Sequence, residues 1–200
     1  MPRILLAVFL MVFAVPAMAE EDAAQSVRER INTMSADLND NQKAHFMAVT
    51  GSSNLISVVK IVQDDVGNAV KACAKENPDL AGAIKGRHKE WQAALAPILK
   101  EAQANVDNMI KVQGYHKASD VRKLLKFMEE KRREKAADID KVPVTTPEAC
   151  EYLRNKMDET EDQLSELLRS TLVSLPQNLQ QKLQEQEVPA DEDSDAAAAE

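Results

Sequence analysis

The fold is decided by residues 56–98, ISVVKIVQDDVGNAVKACAKENPDLAGAIKGRHKEWQAALAPI. Apolar side chains recur at spacings of three and four on both sides of Asn77-Pro78-Asp79, which is the pattern of two amphipathic helices. We expect Asn77 to cap the second helix, with Pro78 at its first position and Asp79 complementing the helix dipole. This stretch therefore predicts an antiparallel helical hairpin.

Both helices of the hairpin are predicted to be long. The first runs from about Asp40 to Lys75, with Asn39 as its cap and Gln42 completing a capping box. The second ends near Gln113 and contains Pro97, which should bend it because proline removes a backbone hydrogen bond. The first apolar stripe consists of Phe46, Val49, Ile56, Val59, Val62, Val66, Val70 and Cys73, and the second of Leu80, Ile84, His88, Trp91, Leu95, Ile98, Ala102, Val106 and Met109.

Two further helices complete a predicted all-α antiparallel bundle of about four helices. Ser119 is expected to cap a third, basic helix that ends near Asp138, and Thr146 to cap a fourth that runs to about Ser174. A short helix over residues 23–35 precedes the four. Glycine and aromatic residues are few, while Ala, Leu, Gln, Glu and Lys are abundant, and this composition favours the helical class.

The beginning of the chain has the parts of a secretory signal peptide, over residues 1–19. Arg3 supplies the positive charge, residues 4–15 form an apolar run, and Ala17 and Ala19 are the small residues at the cleavage site. Cleavage near Ala19 predicts a periplasmic or secreted protein. An uncleaved membrane anchor is the alternative interpretation.

The remaining chain divides into one domain and a tail. Residues 20–184 are long enough for a single helical domain with its own core. Residues 185–200 contain seven acidic residues and no basic one, within a chain of net charge −8. Because such a composition has little to bury, we predict that this acidic segment is disordered.

Cys73 and Cys150 are the two cysteines of the chain. In an exported protein an even pair favours a disulfide. The bundle supports this pairing, since the end of its first long helix and the start of its fourth lie at the same pole. Free thiols and a metal pair are the alternatives, and neither cysteine has a second Cys or a His at ligand spacing.

Residue types that carry catalysis are sparse, and none falls in a recognisable motif. The histidines are His45, His88 and His116, and no nucleophile, base and orienting group occur together in sequence. The Glu-x-x-His pattern of di-iron bundles is also missing. We therefore expect no enzyme activity, no metal and no cofactor, with a haem held by His88 or His45 and a methionine as the alternative.

His88 lies on the apolar stripe of the second long helix, so a partner is needed for its imidazole. In a hairpin that turns near Asn77, facing residues have numbers that sum to about 153. This register places Gln63 and the Asp64-Asp65 pair near His88. We expect one of them to hydrogen-bond the ring, because a buried polar group without a partner costs about 1–3 kcal/mol.

The third predicted helix is the most distinctive charged element. It carries a candidate partner-binding set of five basic residues, Arg122, Lys123, Lys126, Arg132 and Arg133. One interpretation is a surface for an acidic partner, such as another envelope protein, an unfolded client or anionic lipid headgroups. The other is complementarity with the acidic fourth helix, or simple solubility. Nucleic acid is not expected, since no aromatic side chains are interleaved with the basic ones.

The segment Leu38-Asn39-Asp40-Asn41-Gln42 is similar to the Leu-Thr-x-x-Gln motif of the Spy/CpxP-type periplasmic chaperones, which are small helical proteins. Asn39 stands in place of the threonine, and the chain has no second copy of the motif. Together these features predict a non-enzymatic envelope protein with a binding or structural role, chaperone-like activity included. The alternative function is a helical bundle that binds a cofactor or another small ligand.

Overall fold

The computed structural model describes residues 18–174, with side chains from residue 24 onward. This part of the chain is all-α, as predicted, and contains no strand. Its helices are α1 (Met18–Ser35), α2 (Asp40–Glu76), α3 (Ala81–Val112), α4 (Ala118–Ala137) and α5 (Pro147–Arg169), followed by a π-helical turn (Ser170–Ser174). Residues 1–17 of the predicted signal peptide, and the whole acidic segment, lie outside the described residues.

The α2–α3 hairpin forms the centre of the bundle. α4 packs beside α2, and α5 packs beside α3, while α1 lies against α4. Contacts between α2 and α4, and between α3 and α5, join residues about 70 positions apart, so each flanking helix runs parallel to its central neighbour. The basic α4 and the acidic α5 therefore pack against different helices of the hairpin.

The core lies between the central hairpin and its flanking helices. α2 and α3 contribute most of it, and Val121, Met157 and Leu172 join the same cluster from α4, α5 and the π-helical turn. Val62 was predicted to face inward but is 45% exposed, and on α5 Leu167 is 60% exposed although Leu164 and Leu168 pack in the core. Both lie at the edge of their stripe, where the 100° rotation per residue turns the side chain toward solvent.

α2 is long and apolar enough to cross a membrane by length and composition, with a mean hydropathy of 1.2 over its most apolar window. In the fold this helix is the core element of the bundle, and its buried side chains face α3 and the flanking helices. Core helices meet the same criterion, so the observation follows from the central position of α2.

Two of the predicted helix caps are confirmed. Asn39 Oδ1 accepts the backbone N–H of Gln42 at 2.9 Å, and Gln42 Oε1 accepts that of Asn39 at 3.1 Å, which completes the capping box. Thr146 Oγ1 accepts the N–H of Ala149 at 3.2 Å, with Pro147 in the first turn of α5. The Asn39 and Thr146 side chains therefore cap their helices as their positions in the sequence predict.

Two other predicted caps are wrong. Asn77 does not cap α3, because its side-chain amide donates to the carbonyls of Thr145 (2.9 Å) and Cys73 (3.2 Å). α3 begins only at Ala81, after a turn. Ser119 does not cap α4. The helix begins at Ala118, so the cap position is Lys117, two residues before the predicted one, and its side chain makes no cap hydrogen bond. In both cases a tertiary or neighbouring contact replaces the local one.

The predicted disulfide between Cys73 and Cys150 is confirmed, with 5.7 Å between the two Cα atoms. Both residues are buried, and the bond joins the end of α2 to the first turn of α5. The connection over residues 138–146 has no regular secondary structure and is held along α2 by an ion pair between Lys141 and Asp65. The Asn77 amide fastens the end of this connection beside the disulfide.

Candidate functional site

The candidate site is the outward side of α4. α4 turns Val121 and Leu124 into the core, where both are buried. α1 packs along one side of α4, where the Arg30 guanidinium lies 3.8 Å from the centroid of the Phe127 ring. α2 packs along another side of α4. The remaining side of α4 faces solvent.

Arg122, Lys123 and Lys126 occupy this outward side, and we call them the basic face. The Lys123 and Lys126 side chains are 78% and 77% exposed. Each has an acidic neighbour within α4: Asp120 lies 3.2 Å from Lys123, and Glu130 lies 3.7 Å from Lys126. Exposed pairs of this kind contribute about 0–1 kcal/mol, so an acidic partner competes for these lysines at little cost.

Arg122 differs from its two neighbours. It is exposed, and among the residues that the structure describes its guanidinium has no ion pair or hydrogen bond. A guanidinium presents five N–H donors in a planar fork that fits a carboxylate with two parallel hydrogen bonds. Arg122 is therefore the most available anchor on the basic face for a carboxylate.

Arg132 and Arg133, which the sequence groups with the other three, point toward α2. Arg132 Nε donates to Asn54 Oδ1 at 2.8 Å. Arg133 lies 3.5 Å from Asp64 and 3.2 Å from Glu129. These two arginines attach the second half of α4 to the hairpin, so the five residues of the predicted set divide into three that face outward and two with partners on α2.

The structure does not show the pairing between the third and fourth predicted helices, which are the basic α4 and the acidic α5. No ion pair joins α4 to α5 within the described residues. α5 instead directs Asp158 and Glu161 to Arg87 of α3. The reason is topological, since α4 lies beside α2 and α5 beside α3.

Arg87 is a partly buried ionic centre that the sequence did not predict. Its side chain is 14% exposed, contacts Asp158 and Glu161, and donates to the Met157 carbonyl at 2.9 Å. Burial opposes the charge, but the two carboxylates outweigh it and raise the pKa of Arg87. The position of Arg87 three residues after Ile84 was the available signal, because it places the arginine beside the apolar stripe. Its role is to attach α5 to α3.

The expected partner of His88 is wrong. His88 Nε2 is buried and has no hydrogen-bond partner among the described residues. Asp64 contacts Arg133 and Asp65 contacts Lys141, so neither is available to the imidazole. The ring fits against Gly67, where the absence of a side chain leaves room, and it stacks on Trp91 with 6.2 Å between centroids. Burial, assisted by Lys71, lowers the pKa of His88.

The other two histidines lie at the opposite pole, in a cluster that the sequence analysis did not predict. His45 Nδ1 is 2.8 Å from the Tyr115 hydroxyl, and His116 Nε2 donates to the Met34 carbonyl at 2.7 Å. Phe46 packs edge-on against both Tyr115 and His116. Burial lowers the pKa of His45 and raises that of Tyr115 to about 12. These contacts fix the α3–α4 turn against α1 and α2.

Within residues 18–174, no group of three or more His, Cys, Asp or Glu side chains has the geometry to hold a metal ion. A shallow hollow beside the disulfide is lined by Leu80, Ile84 and Arg154 among others. It brings together no nucleophile and base at hydrogen-bond distance.

Comparison of the chain with family models, with curated proteins and with solved structures found no match. The similarity to the Spy/CpxP-type chaperones consequently rests on residues 38–42 alone. In the structure Asn39 and Gln42 of that segment form the capping box of α2.

Proposed function

We propose that this protein is an exported, non-enzymatic binding protein whose basic face takes an acidic polypeptide. The partner is an acidic segment of another envelope protein or of an unfolded client. The disulfide between Cys73 and Cys150 is compatible with the oxidising compartment that this proposal requires.

The observation that carries the proposal is the outward position of Arg122, Lys123 and Lys126 on a helix whose other sides are occupied. α5 carries many carboxylates, but two of them, Asp158 and Glu161, form ion pairs with Arg87 of α3. Among the helices of residues 18–174, none therefore serves as an acidic partner for the basic face. Several exposed cations on one helix face produce a positive potential that attracts acidic chains and is weakened by salt.

A polypeptide fits this face better than a lipid surface does. Helices that lie on membranes insert an apolar side into the acyl boundary. The apolar side of α4 is in the core, and none of the exposed large hydrophobic residues among those described belongs to α4.

The test is a fluorescence anisotropy titration of a rhodamine-labelled oligoglutamate with the full-length mature protein. The variant Arg122→Glu, Lys123→Glu, Lys126→Glu should bind about tenfold more weakly, since three attractions of a few tenths of a kcal/mol each become repulsions. The matched control is Lys85→Glu, Lys89→Glu, Lys100→Glu, which makes the same charge change at exposed positions of α3.

Equal loss of binding in both variants would show that only net charge matters, and would overturn the proposal. Binding to phosphatidylglycerol vesicles without binding to oligoglutamate would overturn it as well. We expect the control variant to increase log Kd by less than half as much as the basic-face variant does.

One observation favours the alternative function, a bundle that binds a small ligand. His88 Nε2 and Trp91 Nε1 are neighbours on α3 and both are buried without a hydrogen-bond partner. A small polar molecule in the α2–α3 seam would satisfy them. An absorption spectrum, elemental analysis and native mass spectrometry of protein purified from its native host test this alternative, which requires a chromophore, a metal or another small molecule in stoichiometric amount.

A further inference from the structure

The described chain ends within three helical turns of the basic face, measured along the bundle axis. Arg87 of α3 contacts Met157 and Glu161 of α5, which lie 70 and 74 residues later. The same offset places Ser174 beside α3 residues close to Ala102. Because Gly67 faces His88 across the hairpin, Ala102 is level with about Ser53 of α2.

The second offset, between α2 and α4, completes this register. Residues of α2 contact residues of α4 that lie 69 to 78 positions later. Asn54, the neighbour of Ser53, contacts Arg132, so the end of the described chain lies about 8 Å along the helix axis from the level of Lys126 and about 14 Å from that of Arg122. Val121 of α4 belongs to the same core cluster as Leu172 and Val173, which lie next to the end of the described chain.

The acidic segment (185–200) has the length and the charge to reach this face. Residues 175–184 separate it from Ser174, and ten residues span up to about 33 Å when extended. Neighbouring helix axes are about 8–10 Å apart, so the outer side of α4 lies within that span. The acidic segment has seven carboxylates and no basic residue, which complements Arg122, Lys123 and Lys126.

We propose that the acidic segment binds the basic face of its own chain and competes there with the acidic partner. This inference rests on the proposed function, because it assigns the same face a second, internal occupant. The protein is then self-inhibited: an external acidic chain binds only when it displaces residues 185–200.

The expected size of the inhibition follows from effective concentration. A segment tethered by a short linker is present at its site at about 1 mM. If an oligoglutamate of the same chemistry binds the free face with a Kd of about 0.1 mM, the tethered segment weakens its binding about tenfold.

The first experiment neutralises the acidic segment in the full-length chain. Its Glu and Asp residues are replaced by Gln and Asn, that is Glu185→Gln, Glu187→Gln, Asp191→Asn, Glu192→Gln, Asp193→Asn, Asp195→Asn and Glu200→Gln. This variant should bind rhodamine-labelled oligoglutamate about tenfold more tightly than the unaltered protein. The matched control removes the same number of charges at exposed positions elsewhere and should change the affinity less than twofold: Asp79→Asn, Asp138→Asn, Asp140→Asn, Glu148→Gln, Glu151→Gln, Asp162→Asn and Glu166→Gln.

The outcomes separate the inference from the proposed function. If the neutralised variant and the unaltered protein bind oligoglutamate equally, the internal occupant is refuted while the binding function stands. If neither binds, the proposed function fails. If the neutralised variant binds tightly, and adding Arg122→Glu, Lys123→Glu, Lys126→Glu abolishes the gain, both are supported.

The second experiment locates the segment directly. A nitroxide spin label attached through Ser194→Cys should broaden the amide resonances around Arg122 and Lys126 in the same molecule, and should leave those around Lys85 and Lys89 unchanged. The broadening should disappear at about 1 M salt, where the Debye length is about 3 Å. Broadening that appears only between mixed labelled and unlabelled copies would refute a contact within one chain and indicate self-association.

Discussion

At the scale of single residues, partly buried polar groups hold the helices of this protein together. Arg87 connects α3 to α5 through Asp158 and Glu161, and Tyr115 connects the α3–α4 turn to His45 of α2. The sequence did not predict these contacts, because they join residues about 70 positions apart and leave no local pattern. Sequence periodicity shows only that such a residue lies near an apolar stripe.

The first prediction concerns Arg87. Arg87→Leu should lower the free energy of unfolding by about 2 kcal/mol, because hydrogen bonds to charged groups are lost and two carboxylates keep no cation beside them. Urea denaturation followed by circular dichroism measures this change. Lys85→Leu, at an exposed position on the same helix, is the control and should stay within about 0.5 kcal/mol. Equal effects of the two substitutions would contradict the role assigned to Arg87.

The second prediction concerns pH and Tyr115. Burial raises the pKa of Tyr115 to about 12, above the value near 10 of an unfolded tyrosine. The folded state holds the proton more tightly, so this contribution to stability is complete below about pH 10 and is lost as the pH rises toward 12. The free energy of unfolding should fall more steeply over that range in the unaltered protein than in Tyr115→Phe. Identical pH profiles would show that the hydroxyl is not protected by the fold.

At the scale of helices, local signals predicted most element boundaries. Asn39 and Thr146 cap α2 and α5 as their sequence positions indicate, since the hydrogen bonds involved stay within four residues. Asn77 departs from the prediction because its side chain binds the chain near Thr145, a partner that only the folded bundle supplies. Boundaries are thus predictable where a short polar residue has no distant partner.

The third prediction contrasts two potential caps. Asn39→Ala should cost about 1 kcal/mol of stability, because the capping box of α2 loses the side chain that accepts the Gln42 N–H. Ser119→Ala should cost less than about 0.5 kcal/mol, since Ser119 lies inside the first turn of α4 and does not cap it. Thermal or urea unfolding compares the two. A larger effect at Ser119 would contradict the assigned start of α4.

At the scale of the whole molecule, the disulfide and the two flanking helices define the architecture. The pattern of stripes and the positions of the cysteines predicted an all-α bundle with Cys73 bonded to Cys150, and both are confirmed. Which flanking helix lies beside which central helix was not predictable, because apolar stripes carry no information about their partner. This choice separates the basic α4 from the acidic α5, and so leaves the basic face open.

The fourth prediction concerns the disulfide. The two cysteines are 77 residues apart, and on the chain-entropy model closing such a loop stabilises a fold by about 4–5 kcal/mol. Cys73→Ala with Cys150→Ala should therefore lower the free energy of unfolding by about that amount. Reduction of the unaltered protein provides the control and should give a similar loss. A change below about 1 kcal/mol in both would mean that the reduced, unfolded chain is already constrained.

The binding role of the basic face is tested most directly by nuclear magnetic resonance. The isotopically labelled chain with its acidic segment neutralised is titrated with oligoglutamate, and the amide shifts locate the site. We expect the largest shifts to cluster at Arg122, Lys123 and Lys126 and to vanish at about 1 M salt. Shifts centred on Lys85, Lys89 and Lys100, or spread evenly over the lysines of the bundle, would contradict it.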